Sequence, residues 1–216
     1  MSRVQISPGP PSFFEILFNL LIFKFITSPV WRADMKALIA YFTQTGNTQM
    51  IAEVIHEVFS TRGEVDITTV RRVDLDTLSE YDLLIVGAPC HDGDLAPPVK
   101  GFLDSLPESP RFKLAGFFTH ATYTPDKNGR EGELYNQWAG RCHPTFENIC
   151  SSKNIEFLGC FNCQGKASPP IEAFIRQEII TDDDEWDRYL PDLRKHPDST
   201  DIENAKKFAQ DILDRL

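Results

Sequence analysis

The residues best suited to chemistry form a hydroxyl-rich loop with the sequence TQTGNT, made of Thr43, Gln44, Thr45, Gly46, Asn47 and Thr48. Threonine hydroxyls, together with the free N–H groups at the start of a helix, are donors that can hold a phosphate. The loop lacks the lysine of a nucleoside triphosphate loop and the G-x-G-x-x-G pattern of a dinucleotide loop. It therefore fits a single phosphate monoester. The alternative is an ordinary threonine-capped helix start.

The elements around this loop favour the ligand interpretation. An apolar run at residues 36–42 predicts a strand buried on both faces. Residues 48–62 have the spacing of an amphipathic helix, and Gly63 ends it. In an open α/β sheet, ligands bind beyond the carboxyl ends of the strands, which is where this loop lies.

The rest of the chain continues the alternation of strands and helices. Four more strands are predicted, an edge strand at 65–69 and buried strands at 83–88, 112–119 and 155–161. Further helices are predicted at 99–106, at 132–152 with a break or restart at Pro144, and at 202–213. This pattern predicts an α/β fold with a five-stranded parallel sheet and helices on both faces.

In this context, the TQTGNT loop resembles the FMN phosphate loop of flavodoxins. The order of the elements extends the resemblance over about residues 35–164 and the last helix. It implies a flavodoxin-like doubly wound sheet of order 2-1-3-4-5, with FMN at the point where the strand order reverses. It also implies that the threonine loop, residues 43–48, binds the flavin phosphate. The isoalloxazine ring would then lie between two further loops.

Those two loops follow the third and fourth strands. The first ring loop, residues 89–93, contains Pro89, Cys90, His91, Asp92 and Gly93. The second, residues 119–123, contributes Thr119, His120, Ala121 and Tyr123. Tyr123 is predicted to stack on the flavin, whereas the first ring loop has no tryptophan and offers Cys90 and His91. Asp92 and Asp94 are expected to lower the reduction potential by disfavouring an anionic reduced flavin.

The remaining cysteines give weaker signals, and we assign no catalytic residue and no metal site. Cys160 and Cys163 form a C-x-x-C pattern. Residues three apart in a strand face opposite ways, so separate thiols are the main interpretation and a redox pair is the alternative. Five cysteines without regular spacing indicate reduced thiols and a cytoplasmic location.

Composition excludes several classes of protein. The 216 residues include 22 basic and 32 acidic side chains, for a net charge of −10. That charge argues against nucleic-acid binding, which needs a basic face. With 41% hydrophobic residues, the chain can bury a core.

Two segments fall outside the alternation. Residues 1–34 are predicted to be an apolar, poorly ordered extension before the flavodoxin-like domain at 35–216. The apolar run 13–27 leaves an export signal or membrane-surface association as alternatives. Residues 164–199 have no counterpart in a minimal flavodoxin, and 179–199 are predicted to be an acidic surface loop.

The resemblance implies an FMN-binding protein that carries electrons between redox partner proteins. Its negative charge would steer it to basic patches on those partners. The competing hypothesis is an NAD(P)H-dependent quinone or flavin reductase of the same fold. A third hypothesis is a module that has lost the flavin, and the intact threonine loop argues against it.

Overall fold

The computed structural model describes residues 35–216, which form a doubly wound α/β domain. The extension predicted at 1–34, including the segment 13–27, lies outside the described residues. Within the described range, no helix is both long enough and apolar enough to cross a membrane.

The sheet of this domain has the predicted topology. Its strands are β1 (Lys36–Tyr41), β2 (Glu64–Thr69), β3 (Leu83–His91), β4 (Asp94–Leu95), β5 (Lys113–His120) and β6 (Phe157–Gln164). The parallel strands run in the order β2-β1-β3-β5-β6, and the short β4 pairs antiparallel with the end of β3. With β4 set aside, this is the predicted order 2-1-3-4-5, with β2 at the edge as expected.

Helices cover both faces of the sheet. In chain order they are α1 (Asn47–Phe59), α2 (Pro97–Asp104), α3 (Gly129–Trp138), α4 (Cys142–Ser152), α5 (Pro169–Phe174), α6 (Asp183–Leu193) and α7 (Ser199–Leu213). Helices α1 and α7 pack on one face of the sheet, and α2 and α4 pack on the other. A π-helical turn, Ile175–Ile179, follows α5 directly.

Side chains of alternating strand residues pack into two hydrophobic cores, one on each face of the sheet. Ile85 and Phe117 point towards α1 and α7, while their neighbours Leu84 and Phe118 point towards α2 and α4. All four side chains have no exposed surface. A Cβ on Gly87 would lie 2.1 Å from the Phe117 ring, so this buried strand position requires glycine.

Two segments differ in detail from the sequence prediction. The helix predicted at 132–152 is divided into α3 and α4, as the restart at Pro144 anticipated. Pro144 lies in the first turn of α4. The N–H groups of a first turn have no acceptor within the helix, so the proline costs α4 no hydrogen bond.

The acidic segment 179–199 is a correction to the sequence prediction, because it contains helix α6 where a surface loop was expected. Asp182 caps this helix by accepting a 2.8 Å hydrogen bond from the Glu185 N–H. Acidic side chains in the first turn are favourable near the positive end of the helix dipole. Tyr189 and Leu193 are buried and form a small third core with Ile175 and Ile180.

Candidate functional site

A cleft of about 550 Å³ lies at the carboxyl ends of β1, β3 and β5. Three loops predicted from sequence meet there. Eleven of the predicted site residues line it, namely Gln44, Thr45, Asn47, Pro89, Cys90, His91, Asp92, Thr119, His120, Ala121 and Tyr123. The carboxyl edge of the sheet therefore brings the threonine loop and both ring loops together.

The other four predicted residues support the loops from behind. The Thr43 hydroxyl accepts a 3.0 Å hydrogen bond from the Gly46 N–H. Thr48 and Thr119 share a buried hydroxyl–hydroxyl hydrogen bond of 2.9 Å, which joins the threonine loop to the second ring loop. Gly93 accepts a 3.1 Å hydrogen bond from the Arg141 N–H.

The start of α1 has the properties of an anion site. Gly46 is its N-cap at φ +89°, and no side chain caps the helix. The first turn contains no acidic residue. A Cβ at Gly46 would meet no atom within 4 Å, so there is open space beside these backbone donors. Uncapped N–H groups and the helix dipole favour a phosphate here, and the residues fit the phosphate of FMN.

Asn47 ties the threonine loop to the chain after β6. Its side-chain amide donates to the Thr45 hydroxyl and to the Lys166 carbonyl, both at 2.9 Å. A Cβ on Gly165 would come within 2.6 Å of the same amide nitrogen. Asn47 therefore holds the threonine loop and also fixes where the segment after β6 begins.

The first ring loop is a tight hairpin between β3 and β4. Asp92 and Gly93 form its turn with φ values of 50° and 80°, the left-handed conformation that a two-residue hairpin requires. Asp94 lies behind this turn, where Lys100 donates a 2.6 Å hydrogen bond to its carboxylate. Burial would raise the pKa of Asp94, but hydrogen bonds from Lys100, Thr145 and the Leu95 N–H outweigh it and lower that pKa. Of these two aspartates, only Asp92 lines the cleft.

His120 forms the floor of the cleft, where it is 3% exposed. Its Nε2 lies 3.2 Å from the Asn162 Oδ1, and its ring meets the Tyr135 ring edge-on at 5.4 Å. Burial lowers the pKa of His120 to about 4. The cleft floor is therefore a neutral imidazole at physiological pH.

Tyr123 lines the cleft, but it also contacts α6. Its ring lies 5.2 Å from the Tyr189 ring, and its hydroxyl donates a 3.1 Å hydrogen bond to Glu185. Arg130 contacts the same carboxylate at 3.3 Å. Burial and Glu185 raise the pKa of Tyr123, so the hydroxyl remains a donor. Stacking of Tyr123 on a flavin stays a prediction.

Sequence patterns did not reveal one side of the cleft. We call this side the apolar wall, and its residues are Leu134, Trp138, Ile171, Phe174, Ile175, Ile179, Ile180 and Tyr189. Most belong to residues 165–198 between β6 and α7, which we call the insertion. Ile171, Phe174 and Ile175 have the i, i+3, i+4 spacing of an apolar helix face, a signal that is weak in the sequence because the helix has only six residues.

Two other groups of chemically capable residues are accounted for by packing or capping. Cys160 and Cys163 lie on opposite faces of β6, as predicted from their spacing. His196, Asp198 and Asp201 bring potential metal-ligand atoms within 4.8 Å of one another. Asp198 and Asp201 form the capping box of α7, and Asp201 also contacts the His196 ring nitrogen at 2.5 Å.

Comparison with known proteins agrees with this geometry. A family model described as "Flavodoxin domain" matches residues 38–210. An uncharacterized protein of Methanocaldococcus jannaschii is 29% identical over 181 residues, covering 83% of this chain and 99% of that protein. The flavodoxin of Synechocystis sp. is 39% identical over 69 residues, 32% of this chain and only 41% of that flavodoxin's length.

A solved structure supports the same fold. A flavodoxin from the domain Archaea superposes with a TM-score of 0.54 at 17% identity, covering 84% of this chain and 98% of that one. The family match spans well over half of the chain and includes all three cleft loops. This chain therefore belongs to the flavodoxin domain family.

Proposed function

We propose that this protein binds FMN in the cleft and carries electrons between redox partner proteins. The observation that carries the proposal is the uncapped start of α1, with open space at Gly46 and with Thr45 and Asn47 lining the same cleft as the two ring loops. Flavodoxin family membership supports the choice of FMN. When bound, the flavin supplies one- and two-electron chemistry, and the protein sets its orientation and surroundings.

Different residues of the cleft would bind different parts of FMN. The first-turn N–H groups of α1 and the Thr45 hydroxyl would bind the phosphate. The two ring loops would bind the isoalloxazine ring between them, with His91 and Asp92 on one side and Tyr123 on the other. His120 contributes an uncharged polar surface, because its pKa of about 4 keeps it neutral.

Surface charge suggests the kind of partner. The chain carries a net charge of −10, and residues 170–216 alone contain 13 acidic and 7 basic side chains. Such a surface would attract proteins with basic patches, at rates that fall as salt screens the charges. All five cysteines are free thiols, which supports a cytoplasmic location.

A second function, NAD(P)H-dependent reduction of a quinone or flavin, is favoured by the apolar wall. Ile171 and Phe174 remain 47% and 41% exposed at the cleft, and the Phe174 ring meets Trp138 edge-on at 5.6 Å. Large half-exposed apolar side chains around a cleft suit a planar apolar substrate beside the flavin.

Titration of the purified, flavin-free protein with FMN tests cofactor binding, and riboflavin is the matched control. We expect FMN to bind at least about 100-fold more tightly than riboflavin, because riboflavin lacks the phosphate that α1 would bind. Equal affinities would overturn the phosphate assignment, and no binding of either would overturn the proposed function.

Steady-state assays separate the carrier from the reductase. A carrier is inert to NADH and NADPH but accepts electrons from a ferredoxin- or flavodoxin-type reductase, more slowly as salt rises. Turnover of NADPH with menadione would favour the reductase instead. In that case, Phe174→Ala should raise the KM for menadione.

A further inference from the structure

Two thiols meet at the first ring loop, Cys90 within the loop and Cys142 behind it, and the function proposed above gives neither sulfur a redox role. Cys90, at the end of β3, is half-buried and lines the cleft. Cys142, the first residue of α4, has no exposed surface and packs in the same apolar core that Cys90 contacts. Interaction with the Cys90 side chain and burial both raise the pKa of Cys142, so the inner sulfur is held as a thiol.

Hydrogen bonds hold the two segments that carry these cysteines against each other. The Cys90 thiol donates to the Trp138 carbonyl at 3.0 Å. The Arg141 N–H donates to the Gly93 carbonyl at 3.1 Å, and the Thr145 hydroxyl donates to Asp94 at 2.7 Å. The β3–β4 hairpin is thus docked on the start of α4, with one cysteine on each partner.

The pair spans the boundary between cleft and core. Cys90 can reach a ligand in the cleft, whereas Cys142 is shielded from solvent and from external thiols. An accessible sulfur backed by a shielded one is the arrangement in which a disulfide can form within the protein without mixed disulfides accumulating.

We propose that Cys90 and Cys142 form a dithiol–disulfide couple that exchanges two electrons with the flavin in the cleft. The proposal rests on the FMN binding proposed above. In the oxidising direction, both S–H bonds break and one S–S bond forms, while two electrons and two protons pass to oxidised FMN. In the reverse direction, reduced FMN returns two electrons and two protons to the disulfide, and the S–S bond breaks.

Formation of the disulfide would also alter the cleft itself. It removes the Cys90 donor from the Trp138 carbonyl and ties the first ring loop covalently to α4. Trp138 belongs to the apolar wall, so the thiol state and the shape of the cleft are linked.

Electron counting in the oxidised holoprotein tests the couple. Protein loaded with FMN and oxidised with glutathione disulfide is titrated anaerobically with dithionite while the flavin absorbance is followed. We expect the wild type to take up about two electrons more per flavin than Cys90→Ser or Cys142→Ala. Cys150→Ala is the matched control, a buried cysteine of the same helix, and it should take up as many electrons as the wild type.

Mapping of the disulfide gives a second readout that does not depend on flavin reduction. Oxidised protein is alkylated, digested and analysed by mass spectrometry, with circular dichroism to confirm that each variant is folded. We expect a peptide that links Cys90 to Cys142. Protein that binds FMN but yields neither this peptide nor the extra electrons would overturn the couple and leave FMN binding intact. Protein that binds no FMN would overturn both proposals.

Discussion

The two sides of the cleft are built in different ways. The threonine loop presents backbone N–H groups and hydroxyls from a few consecutive residues at the start of α1. The apolar wall is assembled from α3 and from the later run of α5, the π-helical turn and α6, and α4 and β6 separate these two parts in the sequence. The threonine loop is a local arrangement of donors that suits an anion. The apolar wall depends on tertiary packing, and we expect it to determine what else the cleft admits.

The largest expected effect comes from breaking the insertion side at Tyr189. This side chain is 5% exposed, and its hydroxyl donates to the Ala121 carbonyl at 2.5 Å. Tyr189→Ala should cost about 3–5 kcal/mol of packing in urea unfolding and weaken FMN binding, because the second ring loop loses its support. Tyr189→Phe keeps the ring and should cost only about 1 kcal/mol.

Hydrogen exchange would show whether the insertion really supports the loop. In Tyr189→Ala, the amides of residues 119–123 should lose protection. Unchanged protection of these amides would mean that the insertion does not stabilise the second ring loop.

The next effect is at the floor, where the two sides meet. The pKa of His120 is about 4 in the folded protein against an ordinary value of 6.5, so the unfolded chain takes up the proton first as pH falls. Above pH 6.5, His120 is neutral in both the folded and the unfolded protein, so it does not lower the free energy of unfolding. The folded state should lose on the order of 3 kcal/mol as the pH falls to 4.

Urea unfolding across this pH range measures the effect. His120→Asn should flatten the decline between pH 6.5 and 4, because the titrating group is gone. The matched control is His143→Gln, which changes a histidine whose side chain is 48% exposed and should leave the decline in place. Parallel wild-type and His120→Asn profiles would contradict the assignment.

A carboxylate in the threonine loop should separate ligand binding from stability. Thr45→Asp places negative charge beside the first turn of α1, which should weaken FMN binding on the order of 100-fold by repulsion of the phosphate. The same charge should stabilise the flavin-free protein by about 0.5 kcal/mol through the helix dipole.

Fluorescence titration and urea unfolding check the two halves of that prediction. Riboflavin affinity should change little, and Thr45→Ser should bind FMN nearly as well as the wild type. An equal loss for FMN and riboflavin would show that Thr45 acts on the ring and not on the phosphate.

The smallest effect tests the polar contacts between α6 and the second ring loop. Glu185→Gln removes the charge that Arg130 contacts and should cost about 0.5–1 kcal/mol, since Arg130 is 55% exposed. Glu203→Gln removes a solvent-exposed partner of Lys206 and should cost less than about 0.3 kcal/mol. Equal costs would indicate that Glu185 contributes nothing specific to the loop.

The same contrast explains what could be predicted from the sequence. The strands, the two core faces and the threonine loop follow from apolar periodicity and from turn residues that are close together in the chain, whereas the strand order follows from the resemblance to flavodoxins. Phe117 and Phe118, for example, are assigned to opposite faces simply because strand residues alternate.

Helix α6 and the environment of Tyr123 could not be predicted in this way. Asp183 and the acidic residues after it resemble loop charges, yet they occupy the first turn of a helix, where the dipole makes them favourable. The partner that anchors Tyr123 is 62 residues away, and no local pattern specifies such a contact.

One hydrogen bond joins the two ends of the insertion, and this has an evolutionary consequence. The Lys166 N–H donates to the His196 carbonyl at 3.0 Å, so the segment leaves and rejoins the domain at neighbouring points. A segment with adjoining ends can be gained, exchanged or lost as a unit without shifting the register of β6 or the start of α7. A short linker in place of residues 167–195 should therefore leave a folded domain with its threonine loop intact and with the cleft open on the side of the apolar wall.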